Sequence, residues 1–144
     1  LCCDIRIAES GDYRIGLPET NIGIFPGAGG TERLPRLIGE ARALELILRG
    51  RTVGPAEAAA LGLVHEVTAA PALARARQIA AELANMPARG IAEAKALVKR
   101  TAERPLDDAC ANARGRFSVL IASDGEAIAA MQAFLGGGED INKR

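Results

Sequence analysis

The chain has 144 residues, the usual size of one domain, and its 18 Lys+Arg balance 18 Asp+Glu for a formal net charge of +0. That balance, with cations scattered among acids, argues against a nucleic-acid partner, because neutralising phosphates calls for a basic excess or a clustered basic face. At 49% hydrophobic and 25% charged the composition is globular, and no apolar run approaches the ~18 residues of a membrane-spanning helix, so neither disorder nor a membrane partner is expected.

Residues 1–8 alternate, with Cys3, Ile5 and Ile7 on one side and Cys2, Asp4 and Arg6 on the other, and this period of two predicts a half-buried strand. Leu1 is not a start methionine and the strand opens uncapped, so the chain reads as a segment of something longer. Ser10-Gly11-Asp12 marks a turn, and residues 13–15 a second short strand. Pro18 and Pro26-Gly27 bracket residues 22–25, a third extended piece. Thr31, after the glycine-rich turn at 27–30, is the expected N-cap of a short helix through Leu37.

From Glu40 the pattern is helical. Ala41, Leu44, Ile47 and Leu48 share one face of a helix ending near Gly50, and Pro55 opens a helix over 56–61 that Gly62 stops. Residues 63–67 read as a short strand. Helices are predicted over 72–85, 91–103, 106–122 and 126–135, the third ahead of Ser123 and the last stopped by Gly136-Gly137-Gly138. The pattern divides the chain into a mixed core, residues 1–70, and a helical region, 71–144.

Aromatic residues make up only 3%, while alanine supplies 29 positions. Alanine buries little area, at roughly 25 cal/mol per Å², so such helices gain from partner surfaces. Cys2, Cys3 and Cys110 are odd in number and irregularly spaced, which suggests reduced thiols of a cytoplasmic protein filling strand or core positions. The lone His65 and the absence of a C-x-x-C leave no expected metal site, and His65, between Val64 and Val67, reads as structural.

Two features could carry chemistry. Gly27-Ala28-Gly29-Gly30-Thr31 could cradle an anion at a helix N-terminus. Glu32 stands where a dinucleotide fingerprint needs its last glycine, however, and no Gly-Lys-[Ser/Thr] ends the loop. On the residues alone, a tight, closely packed turn remains the simpler account. Glu19 follows Pro18 among Ile15, Leu17, Ile22 and Ile24. It is either a general acid/base among apolar neighbours or a solvated loop glutamate.

Residues 3–8, Gly16-Leu17-Pro18-Glu19 and the run from Gly23-Ile24-Phe25-Pro26-Gly27 to Leu37-Ile38-Gly39 together resemble the crotonase (enoyl-CoA hydratase/isomerase) family. The likeness continues through Ala43-Leu44-Glu45-Leu46, Gly62-Leu63-Val64-His65-Glu66-Val67, Ser123-Asp124-Gly125-Glu126 and Ala133-Phe134-Leu135. The resemblance implies an α/β (α+β) fold. This chain would be the C-terminal part of a ββα superhelix, followed by a helical oligomerisation region that builds a homo-trimer or hexamer. It implies a lyase that adds water to a 2-enoyl-CoA thioester. Coenzyme A is then carried by the substrate, and no separate cofactor or metal is required. It implies catalytic roles for Glu19, as the second of two carboxylates, and for Gly27, through its backbone N–H. The mitochondrial matrix is the alternative location in a eukaryotic source.

Departures from the family pattern accompany the likeness. The first family glutamate and the oxyanion amides would fall before Leu1, so the chain alone is expected to be inactive. Gly136-Gly137-Gly138 replaces a charged run, with only Lys143 and Arg144 following. An isomerase using Glu19 as its single acid/base, and a non-catalytic assembly module, are the competing readings. Arg33 and Arg36 are candidates for ion pairing or a CoA phosphate, and Met131 with Phe134 for a packing face.

Overall fold

Glycine and proline cut the N-terminal half of the chain into short elements, and the structure, a computed structural model, describes residues 1–136. The elements are β1 (Ile7–Glu9), β2 (Ile15–Gly16), a 3₁₀ turn (Glu19–Ile22), α1 (Gly30–Ile38), α2 (Glu40–Leu48), β3 (Thr52–Val53), α3 (Pro55–Leu61) and β4 (Glu66–Thr68). There follow α4 (Ala72–Ala84), α5 (Ala88–Arg100), a second 3₁₀ turn (Thr101–Glu103), α6 (Leu106–Ser123) and α7 (Gly125–Leu135). The chain folds as two compact units, Leu1–Ala80 and one beginning at Ala81. Two contacts hold the first turn of α4 to the first unit. The Ala72 N–H donates to Glu9 Oε2 at 3.1 Å, and Arg75 Nε pairs with Glu66 at 2.8 Å.

In the first unit β1 pairs in parallel with β4, Ile7 opposite Glu66, and β2 pairs antiparallel with β3, Ile15 opposite Val53. The core between them comes from Leu34 and Ile38 of α1, Ala43, Leu46 and Ile47 of α2, Val53, Ala58 and Leu63. Ala43 and Ala58 have no side chain beyond Cβ, so α2 and α3 approach their neighbours closely. Arg51 ties the ends of α2 and α3 together through Glu45 at 3.1 Å and through Glu57. Hydrogen bonding to Glu57, then to Glu45, raises the Arg51 pKa further above its usual value. All three side chains are partly open to solvent, so the cluster adds orientation more than stability.

Element bounds shift by up to three residues, as where the strand expected over 63–67 is Glu66–Thr68 and the helix expected over 91–103 is Ala88–Arg100, and four further expectations differ in kind. The strand predicted over 1–8 is confined to Ile7–Glu9, because its partner β4 begins only at Glu66 and alternation without a partner makes no ladder. Arg6 instead holds that segment, its Nε donating to Leu63 O at 2.6 Å and its backbone exchanging bonds with His65. His65 is thus a backbone pin, its Nδ1 accepting the Arg6 N–H at 3.1 Å. The extended piece at 22–25 is instead the end of the Glu19–Ile22 turn, reversed by Gly23 at φ +78, with Ile22 and Phe25 exposed. The two-residue β3 is too short to show any period. Cys2, Cys3 and Cys110 are exposed free thiols rather than core or strand fillers.

The cap of α1 is the fourth difference. Gly29, not Thr31, is the N-cap residue, at φ +82, and the Thr31 hydroxyl donates to Glu32 Oε1 at 2.7 Å. Gly30 is buried, and a Cβ there would lie 2.7 Å from Leu17 Cδ1 and 2.8 Å from Pro26 Cβ. A Cβ on Gly27 would meet only Phe25 O, at 3.9 Å. The conformational and steric demands of the turn therefore fall on Gly29 and Gly30 rather than on Gly27.

In the second unit α6 packs on α5 and α7 on α6. Arg116 of α6 pairs with Glu93 of α5. The Asp124 Oδ1 caps α7 by accepting the N–H groups of Glu126 at 3.1 Å and Ala127 at 3.2 Å, while Oδ2 lies 3.6 Å from Arg89. No helix of this unit has a fully buried residue, and Val98, Phe117 and Phe134 are exposed while Met131 is half-buried. Among the described residues no single helix is long and apolar enough to cross a membrane; α6 and α7 reach that length only jointly, bent by 94°. Gly137, Gly138, Lys143 and Arg144 lie outside the described residues.

Two outcomes follow from these contacts, both read by chemical denaturation. Gly30→Ala forces Leu17 or Pro26 aside and should cost about 1–3 kcal/mol, whereas Gly27→Ala should stay within about 0.5 kcal/mol. Asp124→Ala should cost about 0.5–2 kcal/mol, with Asn retaining most of the cap.

Candidate active site

Pro18 fixes the approach to the 3₁₀ turn, and Glu19 is its first residue. The turn closes on its own backbone: Asn21 N–H donates to Pro18 O at 3.0 Å, Gly23 N–H to Thr20 O at 3.2 Å, and Ile24 N–H to Glu19 O at 3.3 Å. Two side chains then dock it on the C-terminal end of α2. The Thr20 hydroxyl donates to Ile47 O at 2.6 Å, and the Asn21 amide to Gly50 O at 3.0 Å. Carbonyls at and just beyond a helix C-terminus lack intrahelical donors, so they are ready acceptors.

The Glu19 side chain is half-buried, and its Oε2 is shielded from solvent with no hydrogen-bond partner among the described residues. An unpaired buried acceptor costs about 1–3 kcal/mol. Buried polar atoms are overwhelmingly paired, so this one calls for a specific account.

The glycine turn closes the same stretch of chain. Gly30 sits against both Leu17 and Pro26, which flank the Glu19 turn, so residues 17–30 form one closed loop carrying Glu19 and Gly27. Gly27 and Ala28 are exposed. Arg33 folds back on the loop, Nη1 donating to Ala28 O at 2.8 Å, and so serves the turn itself. A cavity of about 190 Å³ adjoins the base of the loop, lined by Leu17, Leu34, Leu46 and Leu63 among others; neither Glu19 nor Gly27 lines it. Among the described residues no group of three His, Cys, Asp or Glu side chains could hold a metal ion.

The family resemblance singled out Glu19 and Gly27 but not Thr20, Asn21 and Gly50. Their bonds span 27 and 29 residues, beyond the reach of any local period.

Known proteins share this arrangement of elements. The enoyl-CoA hydratase/isomerase family profile matches residues 1–139. The chain is 38% identical over 136 residues to "Probable enoyl-CoA hydratase echA8" of Mycobacterium bovis, covering 94% of this chain and 52% of that one. It is 49% identical over 88 residues to the mitochondrial enoyl-CoA hydratase domain-containing protein 2 of Bos taurus, covering 58% of this chain and 29% of the relative. A crystal structure of enoyl-CoA hydratase from Bacillus anthracis matches with a TM-score of 0.82 at 34% identity, over 95% of this chain and 55% of that one. The chain thus spans about half the length of that curated relative. With the profile matched over nearly its whole length and the fold shared, the chain belongs to the enoyl-CoA hydratase/isomerase family, with its α/β crotonase fold and helical C-terminal region.

Proposed function

We infer that the protein containing this chain is a lyase that adds water to a 2-enoyl-CoA thioester, with Glu19 as the proton carrier. The observation that carries this reading is the Glu19 Oε2, shielded and unpartnered on a turn whose backbone is clamped. Retaining such an atom makes sense when its partner arrives with the reaction.

The chemistry runs as follows. A base takes a proton from water as the oxygen attacks the β-carbon. The electron pair of the double bond moves toward the thioester carbonyl, giving an enolate. An acid then delivers a proton to the α-carbon. In this reading Glu19 is that acid, and the Gly27 N–H orients the water. The base for water and the donors for the enolate oxygen are assigned to parts of the enzyme other than the described residues, which fits a chain spanning about half the length of its relatives. Oxyanion donors alone are worth ~10²–10³ in rate, so the 144-residue chain by itself should turn over poorly. Coenzyme A enters as part of the substrate. The exposed apolar residues Val98, Phe117 and Phe134 suit assembly into a homo-trimer or hexamer.

The same carboxyl could instead carry a proton between the α- and γ-carbons of a 3-enoyl-CoA, which is the isomerase reading. The test is Glu19→Gln in the complete protein, assayed on crotonyl-CoA and on a 3-enoyl-CoA. Hydration kcat should fall by roughly 10²–10⁴ with little change in KM. Retention of more than about a tenth of kcat on both substrates would remove Glu19 from the chemistry.

A further inference from the structure

We propose that Thr20 and Asn21, with Gly50 as the receiving position, are positioning residues that hold the Glu19 carboxyl in its reacting geometry. This rests on the assignment of Glu19 as proton carrier.

A four-residue 3₁₀ turn has poor hydrogen-bond geometry and little rigidity of its own. Glu19 Oε2 is held by no hydrogen bond among the described residues, so the direction of the carboxyl is set from the backbone side. That backbone is fixed at the two positions after Glu19. Thr20 bonds to Ile47 O at 2.6 Å and Asn21 to Gly50 O at 3.0 Å. The helix they grip is part of the core through Ala43, Leu46 and Ile47. Rigidity of the packed interior is thereby passed to a carboxyl that borders it.

Gly50 supports the same reading independently. It is buried, it sits at φ +52, and a Cβ there would stand 2.3 Å from Asn21 Oδ1. The position is shaped to admit the Asn21 amide. Were Thr20 and Asn21 only caps for α2, their loss would lower stability without acting through Glu19.

The experiment is a double-mutant cycle in the complete protein. Thr20→Val and Thr20→Ser are made alone and on a Glu19→Gln background, with kcat and KM for crotonyl-CoA and the thermal midpoint recorded. Small misplacements of a reacting group can cost up to ~10² in rate, so Thr20→Val should lower kcat about 10-fold or more with KM nearly unchanged. Thr20→Ser, which keeps the hydroxyl, should restore kcat to within about twofold. On the Glu19→Gln background Thr20→Val should cause no further loss, because the group it positions is gone. Unchanged kcat in Thr20→Val, or the same fold-loss on both backgrounds, overturns the proposal while leaving Glu19 in place. A Glu19→Gln variant that keeps more than about a tenth of kcat overturns the functional reading itself. Should Thr20→Val fail to fold, Asn21→Ala run through the same cycle decides between these outcomes.

Discussion

The docking of the Glu19 turn on the end of α2 is the constraint on which the site depends. It ties the two elements at two points. Ile47 O, which already accepts the Gly50 N–H at 3.0 Å, takes a second bond from the Thr20 hydroxyl, and Gly50 O, just beyond the helix, accepts from the Asn21 amide. The turn, too short to hold itself, gains a fixed backbone. Because α2 contributes Ala43, Leu46 and Ile47 to the core, the placement of Glu19 is tied to the packing of the whole first unit.

The loop that bears Glu19 is closed by packing as well as by hydrogen bonds. Gly30 lets the start of α1 lie against Leu17 and Pro26, and Gly29 supplies the left-handed conformation that turns the chain into the helix. With both ends pinned, the apolar residues between them have nowhere to bury: Ile22 is 77% and Phe25 70% exposed. The second unit shows a related shortage. Its alanine-rich helices bury no residue fully and rely on pairs such as Arg116–Glu93 and on the Asp124 cap. Exposed apolar side chains such as Val98, Phe117 and Phe134 are the feature on which the assembly proposed above rests.

What the sequence reveals follows the range of the interactions. Pro55 and Gly62 mark both ends of α3, with Gly62 at φ +84, and the apolar period locates α4 through α7. Interactions within a turn or a helix leave a local imprint, and α4, α6 and α7 emerge within a residue of where the pattern puts them, while α5 starts and ends three residues early and gives way to the 3₁₀ turn Thr101–Glu103. Strands depend on partners far along the chain. Alternation over residues 1–8 therefore overstates β1, and β3 has too few residues to show a pattern. At the site, Glu19 is legible from the Gly-Leu-Pro-Glu motif and its family resemblance, whereas Thr20 and Asn21 are not, since their acceptors lie 27 and 29 residues away. Glycine spacing marks the turn but not its division of labour. Gly27 stands out in the motif, yet the positive φ belongs to Gly29 and the close approach to Gly30.

The central claim is that the shielded Glu19 Oε2 faces the carbon skeleton of an acyl-CoA. A crystal structure of the complete protein with a slowly reacting acyl-CoA bound tests it most directly. The account predicts Glu19 Oε2 within roughly 3–3.5 Å of the thioester α-carbon, with the turn still bonded to Ile47 and Gly50. An acyl-CoA seated elsewhere, with Glu19 Oε2 hydrogen-bonded to a protein donor and remote from the α-carbon, would contradict it.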